Sequence, residues 1–192
     1  MSASPAVHGR SPAPRYDNVA IAAHWLLAAA IAANLSLGLY MHDLPFSPQR
    51  LKFYNWHKWA GITILVLSAL RLGWRLLHRP PPDAPMAAWQ RRTAHGVHAA
   101  LYVLFFAVPL AGWAYSSAAG FPVVWLGVLP LPDWVPVDRA WADALKATHK
   151  TAAWLLALLV LLHMGAALKH HLIDRDGLLH RMRPGRLRPD RR

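Results

Sequence analysis

The sequence contains no cysteine and no glutamate. Without thiols there can be no disulfide, no iron–sulfur cluster and no zinc finger. All nine acidic residues are aspartate, mostly in expected loops, which disfavours an enzyme built on paired carboxylates. Formal charge is scarce too: only 16% of the 192 residues are charged, against about 25% in soluble domains. What the chain has instead is 55% hydrophobic residues, 12 His, 10 Trp and a formal charge of +12. The length allows one domain or one small bundle. A basic, apolar chain rich in imidazole points to a membrane protein. Nucleic acid is the other partner such a charge invites, and the long apolar runs argue against it.

A helix needs about 20 mostly apolar residues to cross the bilayer core. Four stretches qualify: Val19 to Met41, Phe53 to Leu77, Thr93 to Ser117 and Leu145 to His171. In the second, the uncharged centre is short, and Arg71 and Arg75 are placed to snorkel. Pro45 and Pro48 separate the first two spans, and Pro80, Pro81, Pro82 and Pro85 end the second. Pro122, Pro130, Pro132 and Pro136 break the last connection, whose Trp125 and Trp134 suit a membrane interface. Pro109 lies inside the third span and is expected to kink it. The expected fold is therefore all-α, an integral membrane four-helix bundle over residues 16–184. A disordered tail (1–15) precedes it and a basic tail (185–192) follows. A cleaved signal peptide is the competing reading of the first span, disfavoured by its length and its histidine.

Lys and Arg set the orientation. Fifteen of the 21 lie in the N-terminus, between Arg71 and Arg92, or from Lys169 onward. Six lie on the opposite side: Arg50, Lys52, Lys58, Arg139, Lys146 and Lys150. The positive-inside rule then places both termini in the cytoplasm. The arginines after Arg181 are expected to hold anionic lipid headgroups rather than nucleic acid.

Ionisable groups inside membrane helices are costly and point to function. With this orientation, His24, His95, His98 and His163 fall in the cytoplasmic half, and His57 and His149 in the periplasmic half. His149 and His163 are separated by about 1400° of helix rotation, so they share one face within about 40° and lie about 21 Å apart. One helix face thus offers an imidazole to each half of the bilayer. On the periplasmic side, His57 and His149 form the natural pair. On the cytoplasmic side, His163 can pair with His24, His95 or His98, and spacing alone does not choose.

Zinc usually takes four ligands, and no Cys or Glu is at hand. Two neutral imidazoles on opposite sides of a flat macrocycle suit haem b, and the absence of Cys-x-x-Cys-His excludes covalent attachment. Two axial histidines fill both open iron positions, so the iron passes electrons rather than binding oxygen. Gly61 and Gly165 are small enough to admit a porphyrin edge, with close helix packing the equal alternative.

The chain also carries Ala-His24-Trp-Leu, His57-Lys-x-x-Gly61, Arg71-Leu-x-Trp-Arg75, Ala-His95-x-x-His98 and Pro109-Leu-Ala-Gly112-Trp. The fourth span carries His149 and His163, then Ala-Leu-Lys-His170-His171-Leu-Ile-Asp-Arg-Asp-Gly. In this combination, from about Tyr16 to Pro184, it resembles the four-helix prokaryotic cytochrome b561 family. The resemblance implies two haems b, one on His24 and His163 toward the cytoplasm and one on His57 and His149 toward the periplasm. His95 and His98 then become supporting, quinone-side or structural groups, with His98 kept among the cofactor-side residues. Within that family the chain resembles the superoxide oxidase branch, which implies a bacterial inner-membrane enzyme taking electrons from periplasmic superoxide to ubiquinone. The alternative is an electron-relay subunit for a separate dehydrogenase or a periplasmic electron-transfer protein.

For the first reading, superoxide is an anion and a positive mouth would speed its arrival. Lys58 and Lys150, each directly after an expected haem ligand, are the candidates, with pairing to haem propionates or lipid phosphates as the plainer role. Ubiquinone needs a proton donor. His170 lies seven residues past His163, about two turns and about 10 Å further along one face, and is the first candidate. His98 is the second. A polar helix end is the plainer reading of His170 and His171.

Overall fold

In a computed structural model, residues 15–185 are described. The expected tails (1–15 and 185–192) lie outside them except for Arg15 and Gly185. The described chain forms four long helices: α1 (Asn18–His42), α2 (Pro48–Leu77), α3 (Ala88–Ala118) and α4 (Arg139–Lys169). All four are long and apolar enough to cross a membrane.

The helices begin at side-chain caps, which satisfy backbone N–H groups that have no partner within the helix. Asp17 accepts from the Ala20 N–H at 2.8 Å, and Asp138 from Trp141 at 2.8 Å. Ser47 caps α2 by accepting from Arg50 at 3.2 Å. Pro48 is the first residue of α2, where a missing N–H is harmless, so it opens the helix instead of interrupting the connection. Three helices start about five residues before the expected spans. Hydropathy locates the apolar segment, whereas Arg91, Arg92 and Arg139 are helical without being apolar. Helix α3 runs on through Pro109.

Helix α1 packs on α2, α2 on α3, and α3 on α4. The buried core consists of Leu27, Ile31, Ile64, Leu101, Leu104, Val108 and Leu156. Lipid tails are as apolar as leucine, so van der Waals packing rather than water exclusion holds such helices together. The outward faces accordingly keep Leu158, Leu161 and Leu162 exposed.

At one end of the bundle, the α3–α4 connection folds into a hairpin, β1 (Val124–Trp125) and β2 (Leu129–Pro130), paired antiparallel. Leu126 and Gly127 both have positive φ, 54° and 75°, as a tight hairpin turn requires. A Cβ on Gly127 would sit 3.6 Å from the Trp59 ring, so the turn also lies close on α2. Trp125 donates to Thr63 Oγ1 at 3.2 Å, and Trp59 donates to the Val124 carbonyl at 2.5 Å. These bonds fix the hairpin to α2.

The opposite end holds both ends of the described chain. After α4 the helix widens into a π-helical turn, His170–Asp174. A 3-10 helix, Leu178–Met182, then brings the chain back to α1. The Tyr16 N–H donates to the Arg181 carbonyl at 3.3 Å, and the Trp25 indole to the Met182 carbonyl at 2.8 Å. Arg181 is buried, and its guanidinium donates to the Pro82 carbonyl at 2.5 Å. It is therefore part of the folded domain. Asp17 also accepts from the Trp74 indole at 3.1 Å. Burial acts to raise the Asp17 carboxyl, but the hydrogen bonds from Ala20 and Trp74 outweigh it and hold the group below the usual carboxylate range.

Candidate cofactor site

Two imidazole pairs bridge α4 to the α1–α2 half of the bundle. At the hairpin end, the ring centroids of His57 and His149 are 6.0 Å apart. At the terminal end, those of His24 and His163 are 6.2 Å apart. Two imidazoles on opposite sides of one metal, each with a bond of about 2 Å, place their centroids about 6 Å apart. Both pairs match that spacing. His98 approaches His163 more closely, at 5.2 Å, too short for an ion between them on the same reckoning. His95 turns away to Asp83, at 3.1 Å, on an exposed surface. The pairing that spacing left open at the terminal end is thus narrowed by geometry to His24.

The hairpin-end pair is prepared for a metal in a second respect. His149 Nδ1 lies 2.9 Å from the Val108 carbonyl. A carbonyl can only accept, so Nδ1 carries the proton and Nε2 keeps its lone pair for a ligand. Glycines make room for both rings. A Cβ on Gly112 would lie 2.9 Å from His149 Cε1, and one on Gly38 would lie 3.1 Å from His57 Cε1. These are the glycines that the imidazoles press against, while Gly61 and Gly165, read from sequence as room for a porphyrin edge, face largely open space. A Cβ on Gly165 meets nothing within 4 Å, and one on Gly61 only Asn34 at 3.9 Å.

Helix α4 sets the spacing along the membrane normal. His149, Leu156, His163 and His170 follow one another at seven-residue intervals, two turns each, on one face. Leu156 is buried in the core between the two pairs. An apolar layer therefore separates two sites that can each hold the iron of a haem b. A haem b held between two imidazoles at each site would supply a one-electron carrier there.

The remaining candidates divide. Lys58 turns its ammonium to the carbonyls of Phe121 and Pro122, each at 3.3 Å, and to Ser116 Oγ at 3.4 Å. Ser116 also donates to the Phe121 carbonyl. Lys58 thus ties the α3–α4 connection down beside His57. Lys150 is exposed on α4 next to His149. His170 is mostly buried, with 17% of its side chain exposed, and its Nδ1 lies 2.6 Å from Asp176 and 3.2 Å from Asp174. Sequence reading missed Gly38, Asp176 and the Val108 carbonyl. Gly38 alone had a visible signal, as a glycine within an apolar helix.

Comparison with known proteins agrees with this architecture. Residues 15–185 match the family described as prokaryotic cytochrome b561. The chain is 35% identical over 170 residues to the cytochrome b561 homolog 2 of Escherichia coli K12, covering 88% of this chain and 90% of that protein. It is 33% identical over 176 residues to the cytochrome b561 homolog 1 of the same organism, covering 90% and 98%. It is 32% identical over 176 residues to a Yersinia pestis protein named "Probable superoxide oxidase CybB", covering 88% and 96%. With four apolar helices it is a multi-pass protein of the inner membrane. The chain belongs to the prokaryotic cytochrome b561 family, membrane oxidoreductases that transfer electrons by haem b.

Proposed function

We propose that the protein oxidises superoxide at the periplasmic face and reduces ubiquinone at the cytoplasmic face. In this reading haem b is held by His57 with His149 and by His24 with His163, and the terminal end is cytoplasmic. The observation that carries it is the pair of imidazole sites stacked on α4, one toward each face, with Leu156 between them. The Yersinia pestis relative's name supports the choice of superoxide. Bound haem b supplies a one-electron carrier at each pair.

The protein's own groups do the rest. Each superoxide that gives up one electron leaves as dioxygen, with no proton needed. Two such events supply the two electrons that ubiquinone takes up with two protons to become ubiquinol. Lys150, exposed beside His149, attracts the anionic donor. Lys58 holds the α3–α4 connection over the same end through Phe121 and Pro122. Toward the cytoplasm, His170 offers a ring nitrogen for proton delivery to a quinone oxygen.

The test uses purified protein, superoxide from an enzymatic source and a soluble ubiquinone. The b-type absorption should become reduced under the superoxide flux and ubiquinol should accumulate. Haem that stays oxidised under that flux overturns the superoxide reading. Reduction that appears only with an added donor protein or dehydrogenase would establish the electron-relay reading, consistent with the two relatives named only as cytochrome b561 homologs.

A further inference from the structure

Past Lys169 the α-helix does not simply fray. It widens into the π-helical turn His170–Asp174, reverses at Arg175 with φ 50°, and passes Gly177 at φ 77°. This path carries Asp176 back onto the helix it has just left. Asp176 Oδ2 lies 2.6 Å from His170 Nδ1. Its other oxygen, Oδ1, accepts from the Leu178 N–H at 3.0 Å, at the start of the 3-10 helix. Asp174 stands second, 3.2 Å from the same Nδ1, but its carboxylate is already held by Lys169 at 2.6 Å. Among the described residues no group pairs with His170 Nε2.

We propose that Asp176 is a positioning residue for quinone reduction: it holds His170 with the proton on Nδ1, so that Nε2 alone exchanges protons with the bound quinone. This rests on the reading of His170 as the quinone-side proton donor. A carboxylate can only accept, so the Asp176 bond requires a proton on Nδ1. It also fixes the plane of the ring. In the cycle, imidazolium Nε2–H passes its proton to a quinone oxygen as an electron arrives. Nδ1–H stays on Asp176, and Nε2 is reloaded from water on the terminal side. Two such transfers and two electrons convert one quinone to one quinol. The carboxylate acts only through the ring and never touches the quinone.

Asp176→Asn separates this role from a structural one. The amide keeps a carbonyl oxygen to cap Leu178, so the turn is preserved. Its nitrogen is a donor where a carboxylate accepted, so the Nδ1–H bond is lost. The experiment mixes dithionite-reduced, haem-loaded protein with a soluble short-chain ubiquinone and follows reoxidation against quinone concentration. This half-reaction is independent of the electron donor. In D176N the limiting rate should fall by about tenfold or more, while the half-saturating quinone concentration and the haem content stay at the parent values. Asp176→Glu should recover most of the rate. Nitrogen-15 NMR of histidine-labelled protein, with His170→Gln subtracted to identify the signal, should show Nδ1 protonated in the parent and not in D176N. An unchanged limiting rate or tautomer in D176N, with H170Q slow, overturns the role of Asp176 and leaves the reading of His170 intact. A parent-like rate in H170Q overturns that reading itself, and the proposal with it.

Discussion

Gly112 on α3 leaves the place of its missing side chain to the His149 ring on α4. A Cβ there would lie 2.9 Å from Cε1 and 3.0 Å from Nδ1 of that ring. The same Nδ1 donates to the Val108 carbonyl one turn back on α3. One helix thus supplies both the hollow and the hydrogen-bond acceptor that aim an imidazole on its neighbour.

Gly112→Ala should therefore disturb the hairpin-end pair while sparing the other. The methyl group must displace the ring and break the Val108 bond. Losing such an orienting bond weakens metal binding by about 10- to 100-fold. The expected outcome is a pyridine-haemochrome stoichiometry approaching that of His149→Ala, with the His24 and His163 site still filled. A parent-like haem content and redox titration in G112A would contradict the contact.

The 6.2 Å and 5.2 Å separations from His163 distinguish His24 from His98. On the proposed assignment, His24→Ala and His163→Ala should each lower bound haem by about half, since each removes one of the two imidazoles that would hold one haem. His98→Ala should retain the parent stoichiometry. Haem loss in H98A with full haem in H24A would reverse the assignment.

Lys58 and Lys150 adjoin the two hairpin-end imidazoles but differ in their surroundings. Lys150→Gln should slow haem reduction by superoxide at low ionic strength and converge on the parent as salt is raised, since screening shortens the reach of a surface charge to about 8 Å at physiological salt. Lys58→Gln should instead lower the thermal unfolding midpoint, because three oxygen acceptors lose their shared donor. Stopped-flow rates across a salt series, beside melting curves, check both. A salt-independent deficit in K150Q would argue against steering.

Asp17 makes a pH-dependent contribution to the terminal end. Its carboxyl is held below the usual range in the folded protein by Ala20 and Trp74. The resulting stability is fully present above the unfolded value and is lost as pH falls through the lowered one. Asp17→Ala should cost about 1 kcal/mol at neutral pH, as loss of an N-cap does. The gap between parent and variant melting points in detergent should close in acid. A gap that persists there would mean the uncharged interactions carry the effect.

Much of this architecture can be read along the chain, and the reason is physical. Bilayer thickness imposes a length and an apolar composition on each span, so all four helices are visible without any tertiary contact. His149 and His163, fourteen residues apart, lie within α4, and His170 follows seven residues on at its end, so a fixed rotation per residue makes their shared face a matter of counting. Helix starts were less visible, because Arg91, Arg92 and Arg139 extend their helices beyond the apolar segments that hydropathy detects.

Contacts between helices are a different matter. Counting residues left His24, His95 and His98 open as partners of His163, and only the packing of α1 and α3 around α4 separated them by distance. The pressing of Gly38 and Gly112 against imidazoles, the Val108 carbonyl under His149 and the return of Asp176 to His170 likewise belong to the folded chain. Each depends on how one element is rotated and set against another, or on a reversal at positive φ, and neither is encoded in the periodicity of a single helix. The sequence alone established the membrane class, the four spans and the imidazole stripe on α4. Tertiary packing decided which imidazoles face each other and what holds them there.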